Sequence, residues 1–216
     1  MEEGLRIGVL ISGGGSNLQA IIDAIGAGSL DAEIAVVISS RPDAYGLMRA
    51  REAGIPTCSL TKELYRDPAK ANELIASEFA RAGADYIVMA GYMRKVTVEV
   101  LRAFPDRVLN LHPALLPSFQ GAHGIEDAFN AGVKVTGVTV HFANEAYDKG
   151  PIIAQRAVMV EEDDTLEALT ERIHAAEHEL YPEVLSLLAA GRIVIDEDRK
   201  VRVLGRSPDG RRSSDG

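Results

Sequence analysis

Asn110, His112 and Asp148 bring an amide, an imidazole and a carboxylate into one sequence. The first two stand in Asn110-Leu111-His112-Pro113-Ala114-Leu115-Leu116-Pro117, the third in Asp148-Lys149-Gly150-Pro151. Such a set can stabilise an oxyanion and move a proton. In acyl transfer to an amine, attack turns a carbonyl oxygen into an oxyanion while the nitrogen must lose a proton. An Asn amide and a protonated His can both donate to that oxygen. A neighbouring carboxylate favours the imidazolium and orients the ring. Removing one oxyanion donor typically costs about 2.7–4 kcal/mol of barrier. Residues two apart in a strand point the same way, so Asn110 and His112 share a face. Pro113 and Pro117 stiffen the exit, where an X-Pro bond can be cis.

A second constellation lies upstream in Ser12-Gly13-Gly14-Gly15-Ser16-Asn17. Glycines let the backbone turn tightly and approach a ligand. The following helix start offers unpaired N–H groups and the positive end of its dipole. A phosphate suits that arrangement, so the chain reads as a transferase for a small phosphorylated substrate. Two other fingerprints fail. The dinucleotide pattern wants a third glycine where Leu18 stands, and an acid where Ser39-Ser40-Arg41 follow the second strand. The triphosphate loop wants a lysine that is missing. His123 and His141 stay open as site residues. His174 and Glu177 share a helical face, and spacing alone favours solvated polarity for both. No His or Cys pair has strong metal-ligand spacing. The single cysteine, Cys58, reads as a small buried residue.

The elements that must position these residues follow from hydrophobic patterning. Segments 6–12, 33–39 and 86–90 are short apolar runs, read as buried strands. Helices are expected at 16–27, 44–53 and 69–82, the last closed by Gly83. Further strands are expected at 56–60 and 107–112. This alternation predicts an α/β fold: a mixed, mostly parallel sheet with helices on both faces. Open α/β sheets bind ligands at the carboxyl ends of their strands, where both constellations fall. Segments 135–143 and 151–160 read as an antiparallel hairpin near the C-terminal end, joined through Asn144 to Gly150. A long helix is expected over 165–189, with a bend expected at Tyr181-Pro182. Residues 1–205 are expected to form a single domain, and 206–216 a mobile tail.

The 216 residues are 46% hydrophobic, enough for a sizeable aliphatic core. A net charge of −9 argues against nucleic acid as main partner, while local dipoles still allow a phosphorylated ligand. The start Met-Glu-Glu-Gly-Leu-Arg lacks the cationic opening of a secretion signal, and the first apolar run is too short to span a bilayer. A cytoplasmic protein without membrane partners is expected. The oligomeric state is left open, a homodimer included.

Five motifs in order carry a resemblance: Ser-Gly-Gly-Gly-Ser-Asn-Leu-Gln-Ala-Ile, Met-Ala-Gly-Tyr-Met-Arg, Asn-Leu-His-Pro-Ala-Leu-Leu-Pro, Gly-Val-Thr-Val-His-Phe and Asp-Lys-Gly-Pro-Ile. From about Arg6 to Ile193 the chain resembles the phosphoribosylglycinamide formyltransferase family. The resemblance implies a Rossmann-like formyltransferase fold and transfer of a formyl group from 10-formyltetrahydrofolate to the glycinamide amine, in purine synthesis. It implies no metal and no covalent enzyme intermediate. By similarity Asn110, His112 and Asp148 form the catalytic set, with His112 as proton donor. Gly15, Ser16 and Asn17 would hold the ribose phosphate, and Glu177 would meet the amine, with His174 beside it. Arg66, Met93, Arg94, Lys95 and Val96 would line the folate pocket. So would Asn110 and the loop Asn144, Glu145, Ala146, Tyr147 and Asp148. Gly14 stands where some relatives carry Asn, and Tyr92 replaces a common Phe.

Three other functions compete: hydrolysis of the formyl folate, a non-catalytic phosphosugar-binding module, and a dehydrogenase. The hydrolase adds an N-terminal domain and the related methionyl-tRNA enzyme a C-terminal one; this chain has the length for neither. A rate bell-shaped in pH is expected, because the amine must lose its proton while the imidazole keeps one.

Overall fold

The computed structural model describes residues 4–205. The segment 206–216, expected to be a mobile tail, lies outside the described residues. In chain order the elements are β1 (Leu5–Ile11), α1 (Ser16–Gly26), β2 (Ala32–Ser39), α2 (Gly46–Glu52) and β3 (Thr57–Ser59). A 3-10 turn (Leu64–Arg66), α3 (Pro68–Arg81), β4 (Tyr86–Met89), α4 (Val98–Ala103) and β5 (Val108–His112) follow. Then come α5 (Gly124–Asn130), β6 (Val135–Phe142), β7 (Ile152–Met159), α6 (Leu166–Ala189), β8 (Ile193–Ile195) and β9 (Val201–Val203).

The main sheet runs β3-β2-β1-β4-β5-β6-β7. The first five strands are parallel. β6 is antiparallel to β5, and β7 to β6. This is the mixed sheet with a terminal hairpin that the patterning predicts. The strand period of two sorts side chains into two cores. Ile7, Val9, Ile11, Val88, Leu109 and Leu111 face α1, α2 and α6. Leu10, Val36, Ile38, Ile87 and Val108 face α3 and α4. Helices therefore cover both faces. The long helix α6 is continuous through Pro182. Its Tyr181 is fully buried, and the hydroxyl donates toward the main-chain oxygens of Met89 (3.1 Å) and Leu109 (3.2 Å), at the ends of β4 and β5. No helix among the described residues is long and apolar enough to cross a membrane.

Several short elements escape the patterning. The run Val96-Thr97-Val98-Glu99-Val100 alternates like a strand, yet Val98 opens α4. Tertiary packing decides it: Val100 and Phe104 are buried against the α3 side of the sheet, where the Phe79 and Phe104 rings meet edge-on at 6.5 Å. The hairpin β8–β9 has three residues per strand, too few for a period to register. Cys58 corrects an expectation: it sits on the short edge strand β3 and is only partly buried.

Candidate active site

β5 carries Asn110 and His112 on one side of its chain, as their spacing requires. Its antiparallel neighbour sets His141 opposite Asn110 and Thr139 opposite His112. The segment 143–151 then folds back over the pair. A Cβ at Gly150 would run into the carbonyl of Phe142, so this return needs glycine. Asp148 completes the cluster with a left-handed backbone, φ 52°. A non-glycine residue there is strained, and such strain concentrates at functional sites.

The three side chains converge. Asp148 Oδ2 lies 3.5 Å from His112 Nδ1, and its Oδ1 lies 3.5 Å from the Asn110 amide nitrogen. His141 Nε2 is 3.7 Å from Asp148 Oδ1 and 3.1 Å from the Asn110 nitrogen. The Gly121 N–H donates to Asp148 Oδ2 at 2.9 Å. His112, His141 and Asp148 are all buried. Burial alone would push the Asp148 carboxyl up. Contacts from His141, the Gly121 N–H and His112 outweigh it and hold the carboxyl below its usual range. His112 Nε2 faces the Phe119 carbonyl at 2.8 Å, and a carbonyl only accepts, so that nitrogen carries a proton. By the same argument His141 Nδ1 donates to the Phe142 carbonyl at 2.9 Å. Leu116–Pro117 is the cis bond of the exit segment.

The glycine turn sits across from this cluster. Gly15 has φ 71° and precedes α1 with no side-chain cap, so the first-turn N–H groups stay free for a ligand. A Cβ at Gly15 would lie 2.7 Å from the Gly46 Cα, where α2 packs on the turn. Arg49 of α2 donates to the Gly14 carbonyl at 2.9 Å and fixes the turn from behind. Ser12 accepts the Met93 N–H at 2.8 Å and pairs with Ser40 at 2.6 Å, tying the turn to the 91–94 segment. From α6, Glu177 Oε2 accepts from Asn17 Nδ2 at 3.0 Å and lies 2.9 Å from His174 Nδ1.

Two cavities meet here. The larger, about 280 Å³, is lined by Gly13 to Asn17, Met93, Asn110, His112, Tyr147, His174 and Glu177, among others. The narrower, about 30 Å³, is lined by Arg94, Lys95, Val96, Asn110, His141, Asn144, Tyr147 and Asp148, among others. Asn110 and Tyr147 belong to both. The structure thus brings Gly15, Ser16, Asn17, His174 and Glu177 to one chamber with the catalytic candidates.

The expected folate set is placed unevenly. Arg94, Lys95, Val96, Asn144, Tyr147 and Asp148 line the narrow cleft, while Met93 opens on the larger cavity. Arg66, expected in the folate pocket, lines neither; it is exposed at the end of the 3-10 turn. That turn instead presents Tyr65, whose ring lies 4.8 Å beneath the Arg94 guanidinium and whose hydroxyl meets that of Tyr92 at 2.7 Å. Glu145 and Ala146 also line neither cavity, because the loop turns them outward as exposed residues. Sequence reasoning left His141 open and missed Tyr65, the Gly121 N–H and the Phe119 carbonyl. The last two are main-chain groups, which no residue type announces. Position 141, alternating in register with the hairpin, was the one available signal. Among the described residues no cluster of three His, Cys, Asp or Glu residues could hold a metal.

Comparison with known proteins agrees with this architecture. The family model described as formyl transferase matches residues 5–185. A glycinamide ribonucleotide transformylase 1 structure from Symbiobacterium toebii superposes with a TM-score of 0.91 at 48% identity, covering 95% of this chain and 96% of that one. The phosphoribosylglycinamide formyltransferase of Bacillus subtilis is 38% identical over 183 residues, 85% of this chain and 94% of that protein. The trifunctional purine biosynthetic protein adenosine-3 of Bos taurus is 42% identical over 196 residues, 91% of this chain. The chain spans only 19% of the length of that trifunctional relative. The chain belongs to the formyl transferase family, on its phosphoribosylglycinamide formyltransferase branch.

Proposed function

We propose that this chain transfers the formyl group of 10-formyltetrahydrofolate to the glycinamide amine of phosphoribosylglycinamide. The observation that carries the reading is the convergence of Asn110, His112 and Asp148 where the two cavities join. The phosphate belongs at the glycine turn, against the free N–H groups of α1 and the Ser16 hydroxyl. Glu177 meets the substrate ammonium until it loses its proton. The Asn17 Oδ1 atom is buried without a partner and supplies a second acceptor on the same side. The donor takes the narrow cleft, with Arg94 and Lys95 toward its carboxylates and Val96, Met89 and Ala143 against its ring.

The amine nitrogen then attacks the formyl carbon, and the C=O pair becomes an oxyanion. The Asn110 amide and a His112 N–H donate to it. His112 Nε2 must exchange the Phe119 carbonyl for that oxygen. Asp148 orients the ring from 3.5 Å. Collapse breaks the bond to the donor nitrogen, which takes a proton, and the attacking nitrogen releases one. The test follows the loss of formyl donor with and without phosphoribosylglycinamide. Loss that depends on the amine substrate supports transfer. Formate release at an equal rate without it would select hydrolysis instead.

A further inference from the structure

His112, Thr139 and Gln155 stand in one row across the sheet. The β5–β6 register sets Thr139 opposite His112, and the β6–β7 register sets Gln155 opposite Thr139. Directly opposed residues put their side chains on the same face. Val138 and Val140 pack on the α6 side, so the row lies on the other. The segment that leaves β5 is laid across it. The Thr139 hydroxyl accepts from the Leu116 N–H at 3.1 Å and from Gln155 Nε2 at 3.0 Å, and donates to the Ala114 carbonyl at 2.7 Å. A hydroxyl has one proton and two lone pairs, so this one is fully used. Gln155 Nε2 also donates to the Leu116 carbonyl at 2.9 Å. Thr139 is fully buried, whereas Gln155 is an exposed residue of the edge strand β7. Water could satisfy such an amide, yet its nitrogen turns inward to two protein acceptors. Gly137, two residues before Thr139, makes room for the segment: a Cβ there would strike the Arg156 carbonyl and lie 2.8 Å from Leu115 Cδ2.

The same segment continues into the catalytic cluster. The Ser118 N–H closes a turn on the Leu115 carbonyl at 3.0 Å. Next, the Phe119 carbonyl meets His112 Nε2, and the Gly121 N–H meets Asp148 Oδ2. Phe119 has φ 52° and Gly121 φ 106°. A left-handed phenylalanine persists only where its surroundings hold it. There is little slack: a Cβ at Gly124 would lie 3.1 Å from the Phe119 oxygen and 3.2 Å from His112 Nε2.

We propose that Gln155, acting through Thr139, is a positioning residue for the reaction. It pins residues 114–116, and so presents the Phe119 carbonyl to His112 and the Gly121 N–H to Asp148. Gln155 and Thr139 line neither active-site cavity, so their effect passes through the main chain. The inference rests on the formyl-transfer reading of the site. The Phe119 carbonyl sets the resting orientation of the imidazole. The Gly121 N–H keeps the carboxylate in place after Nε2 has left that carbonyl for the oxyanion.

Three variants of the whole chain test this. Gln155→Met keeps the side-chain length and removes the donors. Thr139→Val keeps the branched shape and removes the hydroxyl, which Thr139→Ser returns. Initial rates of donor loss with phosphoribosylglycinamide should show kcat lower by roughly tenfold in Gln155→Met and Thr139→Val, with both KM values within about twofold of wild type. Thr139→Ser should keep at least about half of the wild-type kcat, because its hydroxyl makes the same three bonds. Proton NMR reads the positioning without turnover. The His112 Nε2 proton, held on the Phe119 carbonyl, should give a downfield resonance in wild type that His112→Ala lacks. It should broaden or vanish in Gln155→Met and Thr139→Val and persist in Thr139→Ser. An unchanged or raised kcat in Gln155→Met, a loss carried by KM, a Thr139→Ser variant as impaired as Thr139→Val, or a resonance absent from wild type or unaltered in Gln155→Met overturns the proposal. Wild type without amine-dependent donor loss removes the enzymatic reading instead, and the NMR comparison then still judges whether Gln155 holds the segment against His112.

Discussion

Asp148 is the residue whose environment says most. Its carboxyl is held down by His141, the Gly121 N–H and His112 against the opposing effect of burial. A depressed carboxyl contributes stability above its ordinary 3.8, and that contribution is lost as pH falls through the lowered value. Asp148 is thus ionised throughout the neutral range and sets neither limb of the rate profile there. Asp148→Asn should therefore lower kcat by roughly 10²–10³-fold at every pH from 6 to 9. A loss that disappeared toward alkaline pH would contradict this placement. At the glycine turn, Gly15→Ala forces a side chain into a left-handed backbone and against Gly46. The KM for phosphoribosylglycinamide should rise several-fold while the KM for the formyl donor stays near its wild-type value, read from initial rates. Asn110, His112 and the glycine turn were legible in the sequence because strand period and turn chemistry fix side-chain direction. Arg66 lies outside both cavities, on a 3-10 turn that leaves no period to count. Tyr65, beside it, meets Arg94 through a cation–π contact that spacing does not announce.

At the scale of elements, α6 is fastened to the site by Tyr181. Its hydroxyl reaches main-chain oxygens of two parallel strands, one of which leads into Asn110 and His112. Tyr181→Phe keeps the ring and removes those bonds, so urea denaturation should show a loss of about 1–3 kcal/mol. The larger expectation is indirect. Freed from β5, α6 would hold Glu177 less firmly opposite Asn17, and KM for the amine substrate should rise with it. Unchanged stability and KM would mean that the aliphatic contacts of α6 suffice. The major strands and helices were readable because apolar runs bounded by turns force a two-sided sheet. The elements that escaped, α4, α5 and β8–β9, are of three to seven residues. Their state is decided by what they pack against, as Phe79 and Phe104 decide α4.

For the whole molecule, the decisive feature is that two neighbouring cavities share Asn110 and Tyr147 in their walls. Under the proposed function both substrates are bound together there and the formyl carbon passes directly to the amine. Initial-rate plots with both substrates varied should give intersecting lines. Parallel lines, the mark of a formylated enzyme that forms before the second substrate binds, would contradict direct transfer. The arrangement arises from a change of strand direction. The parallel strands deliver the glycine turn and the end of β5 to the carboxyl end of the sheet, and the antiparallel β6 brings His141 and the Asp148 loop back over it. The sequence motifs signalled each part, but only the register of β5 with β6 joins them.

The most direct measurement compares loss of the formyl donor by wild type, Asn110→Ala and His112→Ala, each with and without phosphoribosylglycinamide. Wild type should consume donor only when the amine substrate is present, and either variant should lose about 10²-fold or more of that rate while still binding ribose 5-phosphate. Amine-dependent transfer that survives intact in both variants would contradict the account.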